Sequence, residues 1–360
     1  MDVFRYELRK TLILNGGMIT ACAFILLFFA LNVYLDMPHN YSLEREKERY
    51  FEVTEQYVIT GKLDEQMIAF VYSIEKDYNN AANIFNNYYA SFLQGELSTM
   101  DFSKKCKIIN SKLMLKPVID QLLNKIDYAK QEPEKRYIMY DNGWEALLNI
   151  KFPQLFICLA IFIVCIAFKG DTNDEMGSII TTCKYGRCNT LVMKLFAVTL
   201  VMLITYVVAC SGYGLYIGKK YNLMNGTYPL QSLTSFSECN ISLTIIEALV
   251  LISIFQIIGI ISTICVSTLI ITFIKNWSGA LVMLQASLLL PTFINHTKVS
   301  TIYLTASLIN SRTLLTGIGR DEMTFSFDQM DIMTGVVFAI GHILISLFFS
   351  FGAYSRRKII

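Results

Sequence analysis

Charged residues are scarce in this chain, and they are unevenly placed. They make up 17% of its 360 residues, whereas a typical soluble domain carries about 25%. More than half of them, 33 of 60, lie between residues 36 and 151. The rest of the chain contains charge-free runs of up to 27 residues. Two solvents are therefore indicated, a bilayer interior for the apolar runs and water for residues 36–151.

Motifs for catalysis and nucleotide binding are also missing. The sequence has no G-x-x-x-x-G-K-[ST] loop that could hold ATP phosphates. His39 is the only histidine between residues 36 and 151, and no Ser/His/Asp set or metal-ligand spacing surrounds it. A net charge of +2 without a basic stripe argues against a nucleic-acid partner. We therefore predict neither an enzyme nor a metal site, and no cofactor bound by this chain.

Six apolar segments approach or exceed the length of about 20 residues that crosses a bilayer as a helix. The first, a charge-free run of 25 residues, is longer than the apolar core of about 7–15 residues in a cleaved signal peptide. We therefore predict an all-α membrane protein with an uncleaved first anchor and six transmembrane helices. The predicted spans are 11–35, 152–168, 195–218, 248–274, 277–294 and 332–354.

The short loops between these spans differ in basic residues, with eleven Lys and Arg on one side and five on the other. Because cytoplasmic loops carry the excess, we predict a multi-pass cell-membrane protein with both termini in the cytoplasm. Residues 36–151 are then an extracytoplasmic domain. Of the nine cysteines, only Cys106 and Cys239 fall on the outside, and a bond between these two stays open.

The domain at 36–151 is predicted to be helical. Between residues 63 and 93, apolar side chains recur at steps of three and four, which places them on one face of a long helix. Further amphipathic stretches cover 42–59 and 108–129, the latter interrupted at Pro117. The apolar stripe can be core, or its aromatic members can line a groove for an apolar or peptidic ligand.

The loop at 169–194 carries the most informative pattern. The pattern begins with a span that ends in Phe. After it come an acidic residue, a Gly with a small residue, an apolar turn, an Arg, and a Lys that opens the next span. These positions are Phe168, Glu175, Gly177, Ser178, Ile179, Ile180, Arg187 and Lys194. The pattern resembles the permease subunits of bacterial ABC-2-type transporters, as do the six spans, the basic amphipathic stretch at 4–12 and the outer segment at 295–331. Tyr185-Gly186 stand where that family commonly has Pro before the Arg.

The resemblance implies a permease subunit of an ATP-driven exporter. Glu175, Gly177, Arg187 and Lys194 would couple the chain to separate cytoplasmic ABC ATPase subunits, which bind ATP and Mg. A second permease chain, identical or different, would complete the pathway, and the large outer domain is similar to that of permeases for peptides or other amphipathic compounds. The alternative is a membrane sensor, or a resistance or immunity component, whose outer domain detects a ligand without transporting it.

Three polar residues lie inside predicted spans: Gln256, Gln285 and His342. Polar groups at that depth are candidates for function. They also serve as hydrogen-bonding links between neighbouring helices, so both interpretations stay open.

Overall fold

The protein is helical in every long element of the computed structural model. The described residues are 2–55, 59–150, 153–169, 186–221, 223–237, 239, 241–274, 277–293, 308–309, 315 and 329–356. Within these ranges there is no strand, and two isolated antiparallel bridges, Gly61 with Ile138 and Pro229 with Thr244, are the β contacts. The predicted all-α class is confirmed for this part of the chain.

Eleven α-helices are described, together with a π-helical turn at Lys10–Leu14 and short 3₁₀ turns at Leu230–Ser232 and Thr234–Phe236. The helices are α1 (Asp2–Arg9), α2 (Gly17–Glu55), α3 (Glu65–Leu93), α4 (Thr99–Leu113), α5 (Lys116–Gln131), α6 (Asn142–Leu148), α7 (Leu155–Phe168), α8 (Gly186–Tyr221), α9 (Ile245–Phe273), α10 (Trp277–Phe293) and α11 (Gln329–Arg356).

Helix α7 lies at the centre of a bundle formed with α2, α8, α9 and α10, and α11 packs along α9. It is apolar all round, and ten of its fourteen residues are buried, as expected for a helix enclosed by others. Its fourteen residues span only about 21 Å, less than the roughly 30 Å of a bilayer core. Enclosure by its neighbours, rather than contact with lipid, therefore explains its composition.

Four helices are long and apolar enough to cross a membrane, with apolar windows at Gly17–Tyr34, Cys188–Tyr221, Ile245–Phe273 and Met333–Ala353. They coincide with four of the six predicted spans, and they identify the chain as a membrane protein. The predicted spans 152–168 and 277–294 coincide with the shorter helices α7 and α10. A count of six therefore stays a prediction.

The described part of residues 36–151, which begins within α2 and leads towards α7, is helical in its long elements, and we call it the insert below. The stripe predicted at 63–93 is confirmed as α3, whose first turn is capped by Asp64 accepting a hydrogen bond from Met67 N at 2.6 Å. The amphipathic stretch at 108–129 is divided close to the predicted interruption, because α4 ends at Leu113 and α5 begins at Lys116 with Pro117 in its first turn. The stretch 42–59 is not separate from the first span, because α2 continues unbroken to Glu55.

The apolar side chains of the α3 stripe differ in burial between the start and the end of the helix. Near its start, Met67 and Val71 are buried in the core of the insert. Near its end, Phe92 stacks on Phe102 of α4 with ring centroids 4.7 Å apart, and Ile84 is exposed. The first half is therefore core, while the groove interpretation of the second half stays untested.

Hydrogen bonds fasten the insert to the segment 223–244 that joins α8 to α9. Tyr128 donates its hydroxyl proton to the carbonyl of Gln231 at 2.7 Å, and Trp144 Nε1 donates to the carbonyl of Met224 at 2.7 Å. Glu145 accepts a hydrogen bond from Ser235 N at 3.1 Å. Burial raises the pKa of Tyr128 to about 12, so its hydroxyl stays protonated and available as a donor at neutral pH. The insert is thus tied to the bundle at several points.

Candidate functional site

Helix α1 lies against the first turns of α8. The rings of Phe4 and Phe196 meet edge to face with centroids 5.2 Å apart. On the same side, Glu7 and Lys10 are buried although both side chains are ionisable. Buried charges are rare unless they are paired, which directs attention to what surrounds Glu7.

Lys194 of α8 is one partner of Glu7. Its Nζ lies 3.9 Å from Glu7 Oε2, and the two side chains are 0% and 3% exposed. This ammonium also donates to the carbonyl oxygen of Ala167 at 3.4 Å and lies 5.1 Å above the ring of Phe168. One side chain therefore joins three elements: α1, the end of α7 and the start of α8. We call this arrangement the Lys194 joint.

The Lys194 joint lies at the base of the loop predicted to contact an ATPase. Ala167 and Phe168 end α7 just before that loop, and Lys194 lies in the third turn of α8 just after it. Asn15 adds a second tie, because its Nδ2 donates to the carbonyl of Ile166 at 2.9 Å. Both ends of the loop are thus held to the N-terminal segment by buried or half-buried polar contacts.

A tight corner links α1 to the first long helix. Gly16 has a φ of +79°, the left-handed region that favours glycine. At Gly17 a methyl group would lie 2.4 Å from the backbone oxygen of Thr11, closer than atoms can pack. The predicted span at 11–35 therefore begins six residues later, at Gly17, and residues 10–14 form the π-helical turn instead.

Replacing Gly17 with alanine will loosen this corner, because the backbone of Thr11 must move away from the added methyl group. We expect a cost of about 1–3 kcal/mol, seen as faster amide hydrogen exchange in residues 2–14 of the full chain. Gly341→Ala on α11 is the control, since no described atom lies within 4 Å of a methyl group there. Equal exchange rates in the two variants would contradict the assigned corner.

The structure describes the side chain of only one of the four residues predicted to couple the chain to an ATPase. Glu175 and Gly177 lie outside the described residues. Arg187 belongs to the first turn of α8, but its side chain is outside the described atoms. Lys194 is described, and its side chain is completely buried against α1 and α7. Their role in coupling stays a prediction.

Glu7 was missed by sequence reasoning. It is the one acidic residue among Arg5, Arg9 and Lys10 in the N-terminal amphipathic stretch. A single acidic residue in a basic amphipathic helix was the available signal. Its partner Lys194 lies 187 positions away in the sequence, so the pair could not be recognised from local spacing.

The predicted intramembrane polar residues all lie on helices of the bundle. Tyr206 donates to Gln256 Oε1 at 2.7 Å, and Gln256 Nε2 donates to the carbonyl of Ile309 at 3.1 Å. Gln285 Nε2 donates to the carbonyl of Cys158 at 3.4 Å. These bonds link different parts of the bundle, as the structural interpretation requires. His342 is half-buried on α11, and its Nδ1 has no hydrogen-bond partner among the described residues.

A cavity of about 400 Å³ adjoins Gln256. Its walls come from α8 and α9, from residues 147–150 and Pro153, which precede α7, and from Ile309. It lies near the insert, at the end of the bundle opposite the Lys194 joint. In the described part of the chain, no group of three or more His, Cys, Asp or Glu side chains is placed to hold a metal ion.

The chain matches no family model, and neither a curated protein nor a solved structure is detectably similar to it. The contacts of the Lys194 joint and of the cavity therefore carry the functional argument.

Cys106 and Cys239 are both free in the structure. Cys106 is half-buried on α4, and Cys239 is buried within the segment that joins α8 to α9, where burial raises the pKa of its thiol. The structure therefore contains no disulfide bond between Cys106 and Cys239.

Proposed function

We propose that this chain is the permease subunit of an ATP-driven exporter of the ABC-2 type. The single observation that best supports the proposal is the Lys194 joint. A loop that transmits movement from an ATPase needs a base that moves as a unit with the helices behind it. One buried ammonium in contact with α1, α7 and α8 supplies such a base, because separating any of the three would expose or isolate a charge.

In this proposal the loop at 169–194 docks on a cytoplasmic ATPase that binds ATP and Mg. Glu175 and Arg187 make polar contacts there, Gly177 allows close approach, and Lys194 stiffens the base. Two permease chains form the pathway, and ATP-driven closure of the ATPase pair switches it between inward-facing and outward-facing states. The exported substrate is a peptide or another amphipathic compound, and the insert lies outside the cell membrane above the pathway.

Two native cysteines test the orientation. Cys188, exposed at the start of α8, belongs to the predicted cytoplasmic side, and Cys106 belongs to the insert. A membrane-impermeant maleimide added to intact cells should label Cys106, whereas Cys188 should react only after permeabilisation. Peptide mass spectrometry reads both sites in one sample. Labelling of Cys188 in intact cells would contradict the orientation.

Partnership with an ATPase is tested by purifying the tagged full chain from its native membranes. The expected companion is a protein that carries the G-x-x-x-x-G-K-[ST] motif, in amounts equal to the permease. Glu175→Ala and Arg187→Ala should reduce its recovery, whereas Lys219→Ala, at the exposed opposite end of α8, should not. A chain that purifies without an ATPase but binds a ligand through its insert would instead favour a sensor or immunity component.

A further inference from the structure

We propose that the cavity beside Gln256 binds an uncharged amphiphile with a single acyl or alkyl chain. This inference is independent of the proposed transport function, because it rests on the walls of the cavity and not on the loop at 169–194. Nothing about an ATPase is needed for it to hold.

The volume of the cavity fits a small ligand. About 400 Å³ lies at the low end of the roughly 300–1,000 Å³ typical of small-molecule sites. It is room for one chain rather than for a two-chain phospholipid. Leu147, Ile150, Leu249 and Ile252 supply apolar walls, which favour an alkyl chain over water.

Polar groups in the wall define one hydrogen-bonding region. Tyr206 and Gln256 are buried and bonded to each other at 2.7 Å, and Ser253 of α9 also lines the cavity. The Gln256 amide has two N–H groups, of which one is used by the carbonyl of Ile309, and the Tyr206 oxygen can accept as well as donate. A ligand hydroxyl, ester or amide could therefore exchange hydrogen bonds with this region.

Among the described residues of the wall there is no Asp, Glu, Lys, Arg or His. A charged headgroup would be buried beside these residues without a counter-charge, which is strongly unfavourable. The cavity should therefore discriminate by charge. Ser211 belongs to the wall and is exposed on α8, so the cavity reaches the surface of the bundle, where an amphiphile in the bilayer can enter.

Cys210 provides a reporter that needs no mutation. It lines the cavity with a free, half-buried thiol, whereas Cys106 and Cys188 are free elsewhere in the chain. We would embed the full chain in phospholipid nanodiscs and follow alkylation of all three by N-ethylmaleimide. Glycerol monolaurate should slow the reaction at Cys210 alone. Laurate and dodecyltrimethylammonium have an alkyl chain of the same length but carry a negative and a positive charge, respectively. Neither should slow the reaction at Cys210. The proposal would be overturned if the three compounds slowed alkylation of Cys210 equally, or if monolaurate did not slow it.

Direct binding of radiolabelled monolaurate supplies a second measurement with a matched pair of variants. Gly214 lines the cavity, and a methyl group there would lie an ordinary 3.7 Å from Leu147 Cδ1. Gly218, one turn later on α8, has Leu223 Cδ1 at 3.6 Å but is not part of the wall.

Gly214→Leu should fill the cavity and weaken binding by about tenfold or more, because a packed site has no room for the chain. Gly218→Leu should bind like the unmodified protein. Binding by Gly214→Leu at full strength, or absence of binding by the unmodified chain, would refute the site. If Gly214→Leu fails to fold, protection of Cys210 in the unmodified chain decides the question.

Discussion

Replacing Lys194 with methionine will detach α1 from α8. The change removes the ammonium that faces Glu7 at 3.9 Å and leaves a carboxylate that is only 3% exposed. Removing one partner of a buried pair costs about 3–5 kcal/mol. Because α1 is a short helix of eight residues, it can relieve this cost by local opening that hydrates Glu7, rather than by unfolding of the whole bundle.

The measurement is amide hydrogen exchange in residues 2–14 of the full chain in nanodiscs. A loss of about 3 kcal/mol corresponds to exchange faster by about a hundredfold. Lys219→Met, an exposed lysine on the same helix, should leave exchange unchanged. The double variant Glu7→Leu with Lys194→Met should recover most of the protection, because the carboxylate that Lys194 faces is then removed as well. If the double variant exchanges as fast as the single one, the pair is not what holds α1.

Replacing Lys125 with methionine will destabilise the insert far more than replacing Lys62. Both lysines lie 2.7 Å from a carboxylate, Asp141 and Glu134 respectively. The Lys125 pair is 12% and 9% exposed, whereas the Lys62 pair is 51% and 81% exposed. Lys125 also donates to the carbonyl of Met139. The two pairs therefore differ in burial rather than in length.

The expected cost is about 3 kcal/mol or more for Lys125→Met, whereas Lys62→Met should cost little, because water screens this exposed pair. Hydrogen exchange in residues 116–148 of the full chain gives the two values in the same protein. Raising the salt concentration should weaken the contribution of Lys62 but not that of Lys125. Similar losses in both variants would show that burial does not decide the strength of these pairs.

Much of the helical fold follows from local sequence patterns. The stripe at 63–93 predicted α3 because a period near 3.6 residues needs only neighbouring positions to be read. Charge-free runs likewise located four helices that could cross a membrane. The same criterion placed the start of the first span at Thr11, too early, because absence of charge does not reveal the corner that Gly16 and Gly17 impose.

The continuity of α2 was not predictable in this way. Apolar residues give way to charged ones near residue 36, which suggested a boundary, yet the helix runs on to Glu55. A change of surroundings along a helix alters its composition without ending it, since backbone hydrogen bonds are indifferent to what the side chains face.

The site depends on contacts between residues distant in sequence. Glu7 and Lys194, or Tyr206 and Gln256, are brought together by packing of whole helices, and no spacing rule connects them. Gln256 could be singled out as a polar residue in an apolar run, but its cavity could not. Lys194 was identified through the resemblance of its loop, whereas its burial became evident from the fold.

ATP hydrolysis by the proposed complex of this chain with an ATPase tests the central claim most directly. The rate is compared for the unmodified permease, for Glu175→Ala with Arg187→Ala, and for the control Lys219→Ala. If the loop at 169–194 couples the two proteins, the loop variant should lower hydrolysis to the rate of the ATPase alone, and the control should match the unmodified complex. A hydrolysis rate that is the same with and without these loop side chains would contradict the account.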